Sequence, residues 1–158
     1  MRYFLIDRVT ELLPGERARG LKSVTLSDEV LHDHFPDHPI MPGALVVESV
    51  AQLGGFLLEM TINKPGSSLL RAVLVQIDQA KFYGPAGPGD CLDVTTTLDS
   101  LRETAGTITG DVRVAGRRVA RADLTFVLRP VDSERVHEQR RYLYRLWTRD
   151  LQPPIVIP

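Results

Sequence analysis

From Gly43 to Met60 the chain is apolar almost all round, and only Glu48, Ser49, Gln52 and Glu59 interrupt the run. A segment without a polar face has no side to turn toward water, so it reads as a helix buried on every side. The rest of the chain must then supply its cover. Ala44, Ala51, Gly54 and Gly55 are small enough for a sheet to wrap closely around it. With Glu48 and Gln52 inside, a membrane span is not expected. The N-terminus carries no charged-then-apolar leader, and with Cys91 the one cysteine the cytoplasm is the default expectation.

The approach to this helix is stiff. Pro36, Pro39 and Pro42 each fix their own φ and push the preceding residue toward extended backbone. Pro42 suits the first helical position, and Gly43 follows it with no side chain to shield its backbone N–H. Inside the helix, Glu48 and Gln52 lie four apart and share a face. A carboxyl group in such surroundings is costly unless it is protonated or paired.

Cover for the helix is expected from strands. Tyr3 to Val9 and Arg17 to Leu26 flank a Leu13-Pro14-Gly15-Glu16 turn and suggest a hairpin. Ser27-Asp28-Glu29 suits the cap of a short helical turn running to Leu31. After the loop at Asn63 to Ser68, Leu69 to Phe82, Cys91 to Leu101, Thr107 to Val114 and Arg118 to Leu128 read as strands, the last two joined at Ala115-Gly116-Arg117. One buried helix followed by antiparallel strands gives an α+β domain in which a sheet curls around a single helix. The tail from Asp132 to Asp150 is highly charged around a thin stripe of Val136, Leu143, Leu146 and Trp147. It is expected to be a surface helix that serves assembly or solubility and not chemistry, and Gln152 to Pro158 an extended end.

At 158 residues the chain has room for one domain with a sizeable core, and a net charge of −1 gives no electrostatic case for nucleic acid or an anionic membrane. Its one cysteine, Cys91, rules out an internal disulfide. Function must be argued from a site. Three of the four histidines, His32, His34 and His38, lie close together. Imidazole suits zinc, but Pro36 and Pro39 splay this loop and no second cluster completes a pattern, so no metal is expected.

His34-Phe35-Pro36-x-x-Pro39-x-Met41-Pro42-Gly43-x-Leu45, followed by Glu48 and Ala51-Gln52, resembles the signature of the β-hydroxyacyl-acyl-carrier-protein dehydratases. The likeness extends to Phe4-Leu5-Ile6-Asp7-Arg8-Val9, Pro14-Gly15, Ile77-Asp78-Gln79-Ala80-Lys81-Phe82 and Pro88-Gly89-Asp90. It covers roughly residues 3 to 128, which divides the chain into a dehydratase-like domain at 1–130 and a C-terminal extension at 131–158.

The resemblance implies a hotdog fold, a homodimer pairing two sheets edge to edge, and often a trimer of dimers. It implies reversible loss of water from a 3-hydroxyacyl thioester, carried on acyl-carrier protein in fatty-acid or polyketide synthesis, to give a trans-2-enoyl thioester. His34 and Glu48 would then be the catalytic pair, contributed to one pocket by different subunits. Glu48 in place of Asp points to the branch that does not isomerise the double bond. Such an elimination needs a base and an acid and no cofactor. The Gly43 N–H suits the charge growing on the thioester carbonyl oxygen, Gln52 supports Glu48, and Phe35, Pro36, Pro39, Met41 and Pro42 shape the loop. The alternatives are a hotdog acyl thioesterase, an enoyl-thioester hydratase, or a non-catalytic acyl-carrier-binding homologue. Asp33 stands where the family usually has glycine. If that glycine supplies a positive φ, Asp is among the few residues that tolerate it.

Overall fold

The computed structural model describes residues 4–158. Two strands, β1 (Arg8–Leu13) and β2 (Arg17–Ser23), form the first hairpin, with a register shift between Val9 and Glu11. β1 begins later than the Tyr3 to Val9 run suggests, and Tyr3 lies outside the described residues. A 3-10 turn at Glu29–Leu31 follows, buries Leu31, and leads to the proline-rich loop. Then come α1 (Gly43–Ile62), β3 (Leu70–Phe82), β4 (Cys91–Leu101), β5 (Ala105–Val114), β6 (Arg117–Pro130) and α2 (Glu134–Trp147). The six strands make one sheet in the order β1-β2-β4-β5-β6-β3, and every neighbouring pair is antiparallel.

The sheet can close on α1 because small and large residues interlock where they cross. On β5, Gly106, Ile108, Gly110 and Val112 all face inward and are buried. A Cβ at Gly110 would lie 2.1 Å from Val50, one at Gly106 2.5 Å from Leu58, and one at Gly54 2.7 Å from Ile108. Each glycine is thus the seat of an apolar side chain from the other layer. Side chains in the middle of α1, including Leu53, Phe56, Leu57 and Leu58, have no exposure at all. The β5–β6 turn uses Ala115 and Gly116 at φ of 48° and 81°, the left-handed pair that matches strand twist in two-residue hairpins.

Two expectations about α1 need correction. Pro42 is not the first helical residue: its ψ of 133° is extended, so it serves as the N-cap and Gly43 starts the helix. Nor is the helix buried on every side, since Ala44 is exposed and Glu48 and Gln52 are half-buried. α1 is the one described helix long and apolar enough to cross a membrane, with a mean hydropathy of 1.4 over a window that is 61% buried. That burial is what the core helix of a globular domain requires.

α2 is less peripheral than its charge suggests. Ser133 caps its first turn, with its hydroxyl accepting from the Val136 N–H, and Arg145 sits in its last turn, where cations suit the helix dipole. Leu143, Tyr144 and Trp147 are buried, whereas Leu146 of the expected stripe points outward and is 42% exposed. Tyr144 and Trp147 meet Phe56 of α1 edge-on at 4.8 and 6.0 Å.

A buried polar network fastens this contact. Glu59 Oε2 accepts from Arg71 Nη1 at 2.6 Å and from the Tyr144 hydroxyl at 2.9 Å, while Oε1 accepts from the Ala72 N–H at 3.1 Å. Arg71 also donates to His137 Nδ1, and His137 Nε2 donates to the Val131 carbonyl at 2.8 Å. Every member has a partner, which is the condition under which a buried charge is tolerable. Burial, and then the Glu59 charge, push the Tyr144 hydroxyl well above the ordinary tyrosine range.

Two outcomes are expected from this network. Glu59→Ala leaves the Arg71 guanidinium buried without its counter-ion, and should cost about 3–5 kcal/mol in denaturant unfolding. Tyr144 holds its proton more tightly in the folded chain than in the unfolded one. Its contribution is therefore complete below about pH 10 and is lost as pH rises through the folded value. Unfolding measured at rising pH should show a shallower alkaline loss of stability in Tyr144→Phe than in the parent protein.

Candidate active site

The loop before α1 is closed by its own backbone. Phe35 and His38 exchange N–H···O bonds at 3.1 and 2.9 Å, and the Ile40 N–H returns to the His34 carbonyl at 2.8 Å. Asp37 makes the turn at a φ of 59°. The far end is anchored where the Met41 N–H meets the Ala86 carbonyl at 2.7 Å. Behind it, a side chain on Gly87 would meet the Pro39 carbonyl at 3.1 Å. Prolines limit the conformations of this segment, and the hydrogen bonds select one of them.

His34 is half-buried and stacked on Phe35, with ring centroids 4.1 Å apart, while Phe35 itself is 51% exposed. His34 Nδ1 lies 2.9 Å from the Ile40 carbonyl oxygen. A carbonyl only accepts, so Nδ1 carries the hydrogen and Nε2 is left as the ring nitrogen able to take a proton. His32 and His38 are exposed. Among the described residues no three His, Cys, Asp or Glu side chains are gathered to hold a metal ion.

Gly43 opens α1, so its N–H belongs to the first turn, where donors lack an intrahelical acceptor. Phe82, at the end of β3, covers this position: a Cβ on Gly43 would stand 2.9 Å from the phenyl ring. One turn further along α1, Glu48 is held through a relay. The Leu5 N–H donates to Gln52 Oε1 at 3.0 Å, which turns the amide so that its Nε2 donates to Glu48 Oε1 at 3.0 Å. The segment leading into β1 thus orients the Glu48 carboxyl group.

Glu48 and Gln52 open onto a cleft of about 540 Å³ between α1, β3 and α2, lined also by Gly55, Glu59, Leu74 and Phe126. Val136, Gln139, Arg140, Leu143 and Tyr144 of α2 form one wall. The apolar residues that dock α2 thus also bring it to the cleft onto which Glu48 opens. His34 does not line this cleft and shares no hydrogen bond with Glu48 in one chain. Sequence reasoning missed the Phe82 cover and the α2 wall, although Glu59 already marks the Glu48 stripe about three helical turns further on.

Asp33 is exposed and is not left-handed; in this loop the positive φ belongs to Asp37. An aspartate in place of glycine at position 33 therefore carries no backbone strain. Asp37→Val should lower stability by about 1 kcal/mol or more, because a β-branched residue is an outlier at positive φ. Asp33→Val should unfold close to the parent protein in the same thermal melt.

A family model for the FabA-like domain matches residues 1–123. The chain is 38% identical over 128 residues to the 3-hydroxyacyl-(acyl-carrier-protein) dehydratase FabZ of Syntrophotalea carbinolica, covering 81% of this chain and 86% of that one. It is 40% identical over 126 residues to the enzyme of the same name from Roseiflexus castenholzii, covering 80% and 86%. Among solved structures, smu.793 from Streptococcus mutans bound to acetyl CoA superposes with a TM-score of 0.65 at 16% identity, covering 84% of this chain and 96% of that one. A hot-dog-like protein from Thermanaerovibrio acidaminovorans gives 0.62 at 22%, covering 81% and 93%. The fold, a six-stranded antiparallel sheet around one central helix, is the hotdog fold. By the extent of the model match and by identity to its relatives, this chain belongs to the FabA-like family.

Proposed function

We propose that the protein is a cytoplasmic 3-hydroxyacyl-(acyl-carrier-protein) dehydratase, which removes water from a carrier-bound 3-hydroxyacyl thioester during fatty-acid synthesis and leaves the trans-2-enoyl thioester. The observation that carries this reading is the 38–40% identity, over four fifths of the chain, to relatives of that name. The site geometry agrees in kind. His34 Nε2 takes the proton from the carbon beside the thioester carbonyl, and Glu48 protonates the departing hydroxyl, which leaves as water. The electron pair freed at the α-carbon forms the new double bond. Charge that grows on the carbonyl oxygen in between meets the Gly43 N–H at the positive end of α1. Gln52 keeps Glu48 turned toward the cleft.

His34 is not among the residues that line the cleft onto which Glu48 opens, so the reading includes a partner subunit that brings the two together. β3 is the surface suited to it. It is an edge strand of 13 residues, and Val73, Val75 and Ile77 are each about half exposed. A long apolar edge invites pairing with another strand, and a second β3 would cover it. The homodimer then sets His34 of one subunit against Glu48 of the other, and trimers of such dimers are the larger assembly proposed.

Crotonyl thioester supplied to the purified protein tests the reaction. Loss of enoyl absorbance without thiol release is the expected result; thiol release would identify a thioesterase, and binding of acyl-carrier protein with neither signal a non-catalytic homologue. Hydration without dehydration of the corresponding carrier-bound 3-hydroxyacyl thioester would favour an enoyl-thioester hydratase. His34→Ala and Glu48→Ala should each lower kcat by at least about a hundredfold with melting unchanged. Mixing the two variants under subunit exchange should restore part of the activity, and no recovery after verified exchange would contradict a shared site.

A further inference from the structure

Gly55 has no structural need to be glycine. An added Cβ would lie 3.8 Å from both Ala72 and Phe126, ordinary contact distance, and its backbone is helical. Glycine inside a helix is about 1 kcal/mol less favourable than alanine. Gly54, beside it, differs: a Cβ there would collide with Ile108. What the bare position at 55 leaves is space, and that space belongs to the cleft.

Glu48, Gln52, Gly55 and Glu59 follow one another at helical spacing along a single stripe of α1. At the helical rise, Glu48 and Glu59 are about 16 Å apart. Between them the cleft is lined by Ala51, Gly55, Ala72, Leu74 and Phe126, an apolar passage suited to a hydrocarbon chain. Its far end is different. Glu59 is fully engaged by Arg71, Tyr144 and the Ala72 N–H, and α2 stands over it. A chain pressing further would have to break a satisfied buried network, which makes this end a hard stop. α2 also lies beyond the stretch matched by the family model.

We propose that, where the dehydratase reading places the acyl chain in this cleft, Gly55 keeps the passage open past Gln52 and α2 with the Glu59 network sets its length. The proposal rests on the dehydratase reading for the identity of the chain's head group. It makes Gly55 a specificity-determining residue and gives the segment after residue 130 a part in substrate selection. The substrates it favours are acyl chains of medium length with an unbranched, apolar body.

The test is binding of saturated acyl-pantetheine thioesters, from butyryl to palmitoyl, by calorimetry to the full-length protein. These lack the 3-hydroxyl group, so the readout does not depend on dehydration. Affinity should rise with chain length and then stop rising. Gly55→Leu should weaken the longer chains by at least about tenfold while leaving butyryl unchanged. Val136→Trp, on the α2 side, should affect only the longest chains. Gly55→Ala should melt at or above the parent temperature and carry a smaller effect of the same kind, which keeps the test available if the leucine variant fails to fold. Equal weakening of all chain lengths by Gly55→Leu, or unchanged long-chain binding in both cleft variants, would overturn the proposal. Length-dependent binding in a protein that leaves crotonyl thioester untouched would sustain the channel and overturn the dehydratase reading alone.

Discussion

The close crossing of α1 and β5 is the contact on which the remainder of the molecule depends. Val50 and Leu58 seat over Gly110 and Gly106, and Ile108 seats over Gly54. Because each large side chain occupies the space a missing one leaves, the helix sits against the sheet at one height and one rotation. Interiors are packed too densely for such a fit to slide. That rotation sends Leu53, Phe56, Leu57 and Leu58 into the core and turns the Glu48–Gln52–Gly55–Glu59 stripe toward the gap between β3 and α2. A cleft along that stripe is a consequence of where the glycines are.

Each end of the proposed chemistry is held by hydrogen bonds of its own. The His34 loop is held by its own hydrogen bonds and by the Ala86 carbonyl, so Nδ1 is committed to Ile40 and Nε2 is left to react. Glu48 is aimed by an amide that is itself aimed by the Leu5 N–H. Neither arrangement needs the other in the same chain. The unpaired β3 edge, apolar and long, is the surface across which two such half-sites are proposed to meet.

α2 joins the domain through aromatic packing on Phe56 and through one buried acid. Glu59 is tolerated because Arg71, Tyr144 and the Ala72 N–H satisfy it, and that need draws α2 toward α1. The same contact gives the cleft one of its walls. A single network thus accounts for the docking of a highly charged helix and for the shape of the space beside Glu48.

Much of this was legible in the residues. The apolar run from Gly43, the three prolines before it, and the Thr-rich and Val-rich strands after it pointed to a sheet around a central helix, because those strands are the cover the chain offers for it. Local chemistry also determined that His34, Gly43, Glu48 and Gln52 stand on or beside the start of that helix. The role of Glu59 was not legible, because its partners Arg71, Ala72 and Tyr144 lie on other elements and only the packed chain assembles them. Nor was the facing of α2, where the charged composition hid that Tyr144 and not Leu146 turns inward. The left-handed residue of the loop proved to be Asp37, since backbone sign is set by how a loop closes and not by one residue's tolerance. Sequence determined which elements form and which side chains they carry; tertiary structure decided which of them share a cavity, because that depends on packing contacts between residues far apart in the chain.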